Sequence, residues 1–259
     1  MPRFSANISM MFLEHTFLDR FQAAKDAGFD AIEIQFPYAF LPEDLLVKKE
    51  KAKVEISVIN IDAGDLTTGG PGLAAMPGRE VLFKKSVDEA RRYAEILKPV
   101  NMNILAGWPP MDQFSREECL DVLVGNMNFA GEALSSTGTK VLIEAVNNID
   151  RPGYLLNTSA QAIAAIDAAG HQNLALEYDL YHMQIMEGNL VNRMAEILDQ
   201  IGHIQFADTP GRNEPGTGEI NFPFVFDAID KMGWQGWVGA EYVPSRETTQ
   251  TLQWMMPFS

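Results

Sequence analysis

Short apolar runs alternate with longer amphipathic segments along this chain. Strands are predicted at Phe4–Ile8, Ala31–Ile34, Ile56–Asn60, Met102–Ala106, Val141–Glu144, Leu174–Asp179, Ile204–Ala207 and Val238–Tyr242. Helical patterns lie between them. Phe17, Leu18, Phe21 and Ala24 form one stripe before Gly28, and Val87, Ala90, Ala94 and Leu97 form another before Pro99. Further helices are predicted over Glu117–Leu134, Ser159–Ala169, Leu190–Ile201 and Phe224–Met232. Eight strand-like runs, each followed by helix-like sequence, read as parallel βαβ units. A doubly wound open sheet usually carries a phosphate-binding glycine turn after its first strand. Here Ser9-Met10-Met11-Phe12 follows instead. The expected fold is therefore α/β, a single-domain (β/α)8 TIM barrel spanning residues 1–259.

Length and composition fit that reading. The 259 residues match one barrel of roughly 250 residues, and 46% hydrophobic residues supply a core. Asp and Glu number 35 against 20 Lys and Arg, a formal charge of −15, which disfavours nucleic acid and anionic membrane surfaces as partners. No apolar stretch reaches the roughly 18 residues of a membrane span. Met1–Phe12, broken by Arg3, Ser5, Asn7 and Ser9, lacks the core of a signal peptide. The single Cys119 cannot form an internal disulfide and reads as helix packing. A cytoplasmic location is the default expectation, and homo-oligomerisation stays open because no face is marked for it.

The C-terminal ends of barrel strands hold active sites, and here they are polar. Strand five ends on Glu144 and strand six on Asp179. Strand seven carries Gln205, and strand eight Glu241. Three carboxylates gathered in a partly buried mouth repel one another unless a cation or a proton intervenes. The all-oxygen set suits Mg²⁺ or Mn²⁺ better than Zn²⁺. With Glu144 and Glu241 flanking an α-hydroxycarbonyl, one would remove a carbon-bound proton and the other return one, with no organic cofactor. Spacing alone leaves open that both are ligands only.

The chain resembles, over its whole length, the hydroxypyruvate isomerases of the xylose-isomerase-like barrel superfamily. The match is carried by Arg3–Met10, Pro77-Gly78-Arg79-Glu80, Asp179–Gln184 continuing to Glu187-Gly188, Ile204–Asp208 and the glycine-rich run Gly211–Asn221. The resemblance implies interconversion of hydroxypyruvate and 2-hydroxy-3-oxopropanoate (tartronate semialdehyde). It further implies that Glu144 and Glu241 are the acid–base pair, and that both bind the metal with Asp179 and Gln205. Related ketose 3-epimerases usually have histidine at the position of Gln205. The family usually continues its eighth strand Glu-Tyr-Lys-Pro, whereas this chain reads Glu241-Tyr242-Val243-Pro244. Loss of that lysine motivates an alternative, a ketose 3-epimerase or other isomerase of an uncharged sugar. A second alternative is a non-catalytic barrel that binds metal or sugar.

Other candidates each carry a plainer reading. His182, in the sixth βα loop, would bond a substrate oxygen or a ligand; otherwise backbone groups satisfy it. Arg79 would clamp a substrate carboxylate across the mouth, or merely begin a helix in solvent. Arg212 would serve the same carboxylate, with Glu214 as its partner or that of a ligand. Asn103 would donate to substrate or to backbone. The loop Asp208–Asn221 reads as a lid or as a rigid connector with turn glycines. Met10, Phe12 and Trp108 would wall the pocket, or simply pack.

Overall fold

The computed structural model describes residues 2–258; Met1 and Ser259, the ends of the 1–259 span, lie outside the described residues. The strands are β1 (Arg3–Asn7), β2 (Ala31–Ile34), β3 (Glu55–Asn60), β4 (Asn101–Ile104), β5 (Lys140–Glu144), β6 (Leu174–Asp179), β7 (Ile201–Phe206) and β8 (Trp237–Ala240). They close into one barrel in sequence order, and every adjacent pair is parallel. All eight expected strands are therefore present. No helix of the described residues is long and apolar enough to cross a membrane.

The helices are α1 (Arg20–Asp26), α2 (Pro42–Ala52), α3 (Glu80–Leu97), α4 (Arg116–Leu134), α5 (Ser159–Ala169), α6 (Leu180–Met186), α7 (Leu190–Ile197) and α8 (Phe222–Lys231). Local chemistry sets their ends. Ser115 and Glu118 cap α4 reciprocally, and Thr158 accepts the Gln161 N–H at the start of α5. Two expectations are corrected. The expected helix Leu190–Ile201 ends at Ile197, and Ile201 already belongs to β7. Helix α2, for which the pattern gave no bounds, buries only Pro42, Leu45 and Ala52. The stretch around His182 is helix α6, not loop.

Alternation along the strands divides the core in two. Val141, Ile143, Leu174, Leu176 and Tyr178 join helix residues such as Leu123, Met127 and Ala165 in the main apolar cluster around the barrel. The intervening Leu142 and Ala175 meet Val58 in a small separate cluster on the axis. Toward the C-terminal ends of the strands the axis turns polar: register places Asn7 beside Glu33, Glu144 beside Glu177, and Asp179 beside Gln205. All six are buried. The barrel is a scaffold that carries buried polar groups to one end.

Candidate active site

A cavity of about 650 Å³ opens at that end, lined in part by Glu144, Glu241, His182, Arg212, Trp108 and Met10. Glu144 ends β5 and Glu241 follows β8, so the two carboxylates rise from strands three apart in the ring of eight. Glu144 Oε2 accepts from Asn103 Nδ2 at 3.4 Å, while its Oε1 has no hydrogen-bond partner. Asp179 Oδ1 caps α6 by accepting the Tyr181 N–H at 2.8 Å; its Oδ2 is likewise unpartnered. Glu241 is better served. Its Oε1 accepts from Asn7 and Gln35, both at 2.9 Å, and its Oε2 from Arg212 Nη2 at 2.6 Å.

Burial and mutual repulsion push these carboxyls toward their neutral forms. Burial first, then the Glu241 and Asp179 charges, hold Glu144 well above the usual carboxylate range. Burial pushes Asp179 up to about 7, against the pull of Arg212. Glu241 is also raised by burial, with Arg212 opposing. Glu177, buried beside Glu144 on the axis, is raised well above its usual range by burial and by the Glu144 charge. Burial works against the Arg212 guanidinium, but Glu241, Asp179 and Glu144 outweigh it and hold the proton more firmly than usual.

Two unpartnered carboxylate oxygens below a shared cavity are what a hard divalent cation requires. Glu144, Asp179 and His182 each place a ligand atom within 4.8 Å of the others. Gln205 gives its Nε2–H to Glu33 at 2.8 Å, so its Oε1 is the end turned away from Glu33. Glu144 and Asp179 offer free carboxylate oxygens to a cation and Gln205 an amide oxygen, whereas Glu241, whose oxygens accept from Asn7, Gln35 and Arg212, lies outside the grouped ligand atoms. His182 is a weaker ligand than its position suggests. The Asn147 backbone N–H, which can only donate, points at its Nδ1 at 3.4 Å. The neutral ring therefore carries its proton on Nε2, which lies 3.6 Å from Glu144 Oε1 and 3.5 Å from Asp179 Oδ2. Burial, then Arg212 and Arg151, keep the imidazole well below its usual pKa, so it is a neutral donor facing the mouth.

The remaining expected residues divide. Arg212 reaches the mouth, with its guanidinium 5.2 Å over the Tyr181 ring. Asn103 stands against Glu144 and Asn60 rather than in the cavity lining. Two expectations are corrected. Arg79 does not reach across the mouth; Asp65 at 2.8 Å and the Gly72 carbonyl at 3.2 Å hold it in the β3–α3 connection. Glu214 pairs with neither Arg212 nor a ligand, because Ser245 donates to it through both backbone and hydroxyl. Met10 and Trp108 line the cavity, whereas Phe12 is fully buried packing.

The loop after β7 is knit together by hydrogen bonds to Asp208. Asp208 Oδ1 accepts the N–H groups of Thr209 and Ile220, and its Oδ2 those of Gly216 and Gly218, all between 2.8 and 3.1 Å. At Gly218 a Cβ would meet the Thr209 carbonyl oxygen at 2.2 Å, so that approach requires glycine. The loop also fixes its neighbour: the Val243 N–H donates to the Arg212 carbonyl at 2.8 Å, and Asn213 Nδ2 to the Val243 carbonyl at 2.7 Å.

Three functional candidates escaped the strand-end reading. Glu33 sits in the middle of β2, Gln35 just beyond its end, and Arg151 in the β5–α5 loop. A lone charge inside the apolar run Ala31–Ile34 was the available signal for Glu33. Nothing in the sequence pattern marked Arg151.

The family described as xylose isomerase-like TIM barrel matches residues 21–258. The hydroxypyruvate isomerase of Escherichia coli (strain K12) is 44% identical over 258 residues, covering 100% of each chain. A 2-oxo-tetronate isomerase of Cupriavidus necator is 40% identical, covering 100% of this chain and 99% of that one. A Brucella melitensis crystal structure described as AP endonuclease, family 2, superposes with a TM-score of 0.96 at 35% identity, covering 100% of this chain and 99% of that one.

Proposed function

We propose that this chain, which belongs to the xylose isomerase-like TIM barrel family and groups with its hydroxypyruvate isomerases, is a metal-dependent isomerase of small hydroxy-oxo acids. The observation that carries metal dependence is the pair of buried, unpartnered oxygens on Glu144 and Asp179 beneath the cavity. Glu144, Asp179, Gln205 and Glu241 would hold the cation. When bound, it would supply positive charge against the two oxygens of an enediolate. The preferred substrate is hydroxypyruvate, converted to 2-hydroxy-3-oxopropanoate.

The side chains define a balanced proton transfer. One glutamate of the pair takes a proton from C3, leaving an enediolate across C2 and C3. The other delivers a proton to C2, and the hydroxyl proton passes from O3 to O2, so nothing is gained or lost. Burial raises both carboxyls above their usual range, which eases return of the proton after each transfer. The neutral His182 donates from Nε2 toward a substrate oxygen, and Trp108 and Met10 exclude water from one wall.

The test is turnover in D₂O followed by NMR, with Mg²⁺ or Mn²⁺, over hydroxypyruvate, a four-carbon 2-oxo acid and a panel of ketoses. We expect deuterium at C2 of the three-carbon product. Conversion without solvent exchange would point to a hydride shift and remove the glutamates from proton transfer. A second reading, a longer 2-oxo acid or an uncharged ketose, is favoured by the cavity volume and by Val243, which lines the mouth where the family usually has lysine.

An anionic substrate needs a cation among so many carboxylates. Arg212 is already engaged with Glu241, but Arg151 lines the same cavity and is in no ion pair among the described residues. Arg151 is therefore assigned to the substrate carboxylate. Arg151→Ala should raise KM for the 2-oxo acid about tenfold, as expected for one charge-assisted hydrogen bond, and leave kcat nearly unchanged. Val243→Lys should lower the same KM. Equal effects on an uncharged ketose would show that neither position reads substrate charge.

A further inference from the structure

The axis of the barrel holds a second group of side chains below the mouth, centred on Glu33. This carboxylate is 1% exposed, yet it is fully hydrogen-bonded. Its Oε1 accepts from Ser5 Oγ at 3.0 Å and His203 Nε2 at 2.7 Å; its Oε2 accepts from Gln205 Nε2 at 2.8 Å and Asn7 Nδ2 at 3.4 Å. Strand β8 is bare at the same level. A Cβ at Gly239 would fall 1.8 Å from Glu33 Oε1, so the glycine leaves room for the carboxylate. Burying such a group gains little stability over well-packed apolar side chains, and an apolar plug of Val58, Leu142 and Ala175 already lies on the axis.

We propose that Glu33 is a positioning residue that fixes the orientation of two amides at the mouth, those of Gln205 and Asn7. With Ser5, His203 and Asn7 also directed at its two oxygens, the Glu33 carboxyl serves here as an acceptor. Gln205 must therefore present its NH₂ to Glu33 and turn its carbonyl oxygen away, as a cation ligand requires. Asn7 likewise turns its NH₂ inward, with its Oδ1 held by the Ser9 N–H at 3.1 Å, and the same NH₂ donates to Glu241 Oε1 at 2.9 Å. One acceptor thus sets a candidate ligand and steadies one of the two proposed acid–base groups. The inference rests on the metal reading above, and adds to it the group that orients the ligand atoms.

The experiment is a calorimetric titration of the chelator-stripped protein with Mn²⁺, beside thermal unfolding of each variant. Glu33→Gln has the same shape but can donate as well as accept, so the Gln205 amide is no longer held one way. Its Mn²⁺ Kd should weaken about tenfold or more, the range seen when outer-shell partners of metal ligands are lost. The reciprocal variant Glu33→Gln/Gln205→Glu restores one donor facing one acceptor, and should recover Mn²⁺ binding to within about threefold of the parent. Glu33→Asp keeps an acceptor-only group, so it should bind Mn²⁺ nearly as the parent does even if it melts earlier. Affinity that follows melting temperature across the three variants would mean a merely structural role and overturn the proposal. Parent-like Mn²⁺ binding by Glu33→Gln would overturn it alone, with the metal reading intact. Absence of Mn²⁺ binding by the parent would overturn both. Should Glu33→Gln fail to fold, the reciprocal variant and Glu33→Asp decide by the same criteria.

Discussion

Glu144→Gln should reduce turnover at least about 10³-fold while making the metal-free protein harder to unfold at pH 8. The loss follows from the proposed role: a glutamine cannot exchange the proton, and general acid–base catalysis typically contributes about 10²–10⁴-fold. The gain follows from the surroundings. Glu144 Oε1 has no partner, and Glu241 and Asp179 repel its charge. A carboxyl raised in the folded state binds its proton more tightly there than in the unfolded chain. Its contribution is thus favourable at low pH and is lost as pH rises through the folded-state value. For Asp179 that window runs from about its ordinary 3.8 up to about 7. At pH 8 with chelator, neutralising Glu144 should raise Tm by about 2–4 °C for each kcal/mol relieved, in a domain of this size. Glu241→Gln should be equally inactive but not stabilised, because it breaks the 2.6 Å contact with Arg212. Turnover retained within tenfold in either variant would remove that residue from the chemistry. Equal destabilisation of both would contradict the account of Glu144 as the uncompensated charge.

Removing the metal should have the next largest effect. Chelation should take turnover down by at least about 10²-fold, in keeping with the several kcal/mol of charge stabilisation that a cation supplies, and Mn²⁺ or Mg²⁺ should restore it. The same ions should reverse the pH dependence of stability. At 100 times Kd a ligand stabilises by about 2.7 kcal/mol, and here the rise in Tm should be greatest at high pH, where the carboxylates are ionised. Asp179→Asn should weaken metal binding while softening the pH trend of the chelated protein. Full activity in the presence of a strong chelator would rule out the metal role, and an ion effect on Tm independent of pH would place the ion elsewhere.

The barrel was readable because each strand is an apolar run with a polar end, and buried parallel strands write that pattern strongly. The placement of Glu144, Asp179, Gln205 and Glu241 at one end of the barrel was readable for the same reason, since topology alone brings strand ends together. Helix α2 was not, because Pro42–Ala52 is mostly solvated and buries too few residues to show a stripe. Helix α6 was hidden by economy: Asp179 both ends β6 and caps the helix, leaving no loop between them. Glu33 was missed because attention to strand ends ignores the middle of a strand. The fates of Arg79 and Glu214 were set by Asp65 and Ser245, nearby loop residues whose approach no local pattern encodes.

The hydrogen bonds between Val243 and the 212–213 segment bear on how such a mouth can change over time. Both of Val243's main-chain polar groups are occupied there, so the wall is built from backbone, while the residue as a whole is 47% exposed. A codon change at 243 would alter the charge presented to an incoming acid without disturbing the lattice that carries Arg212. Position 243 can therefore exchange its side chain while the backbone wall and the segment that carries Arg212 stay in place.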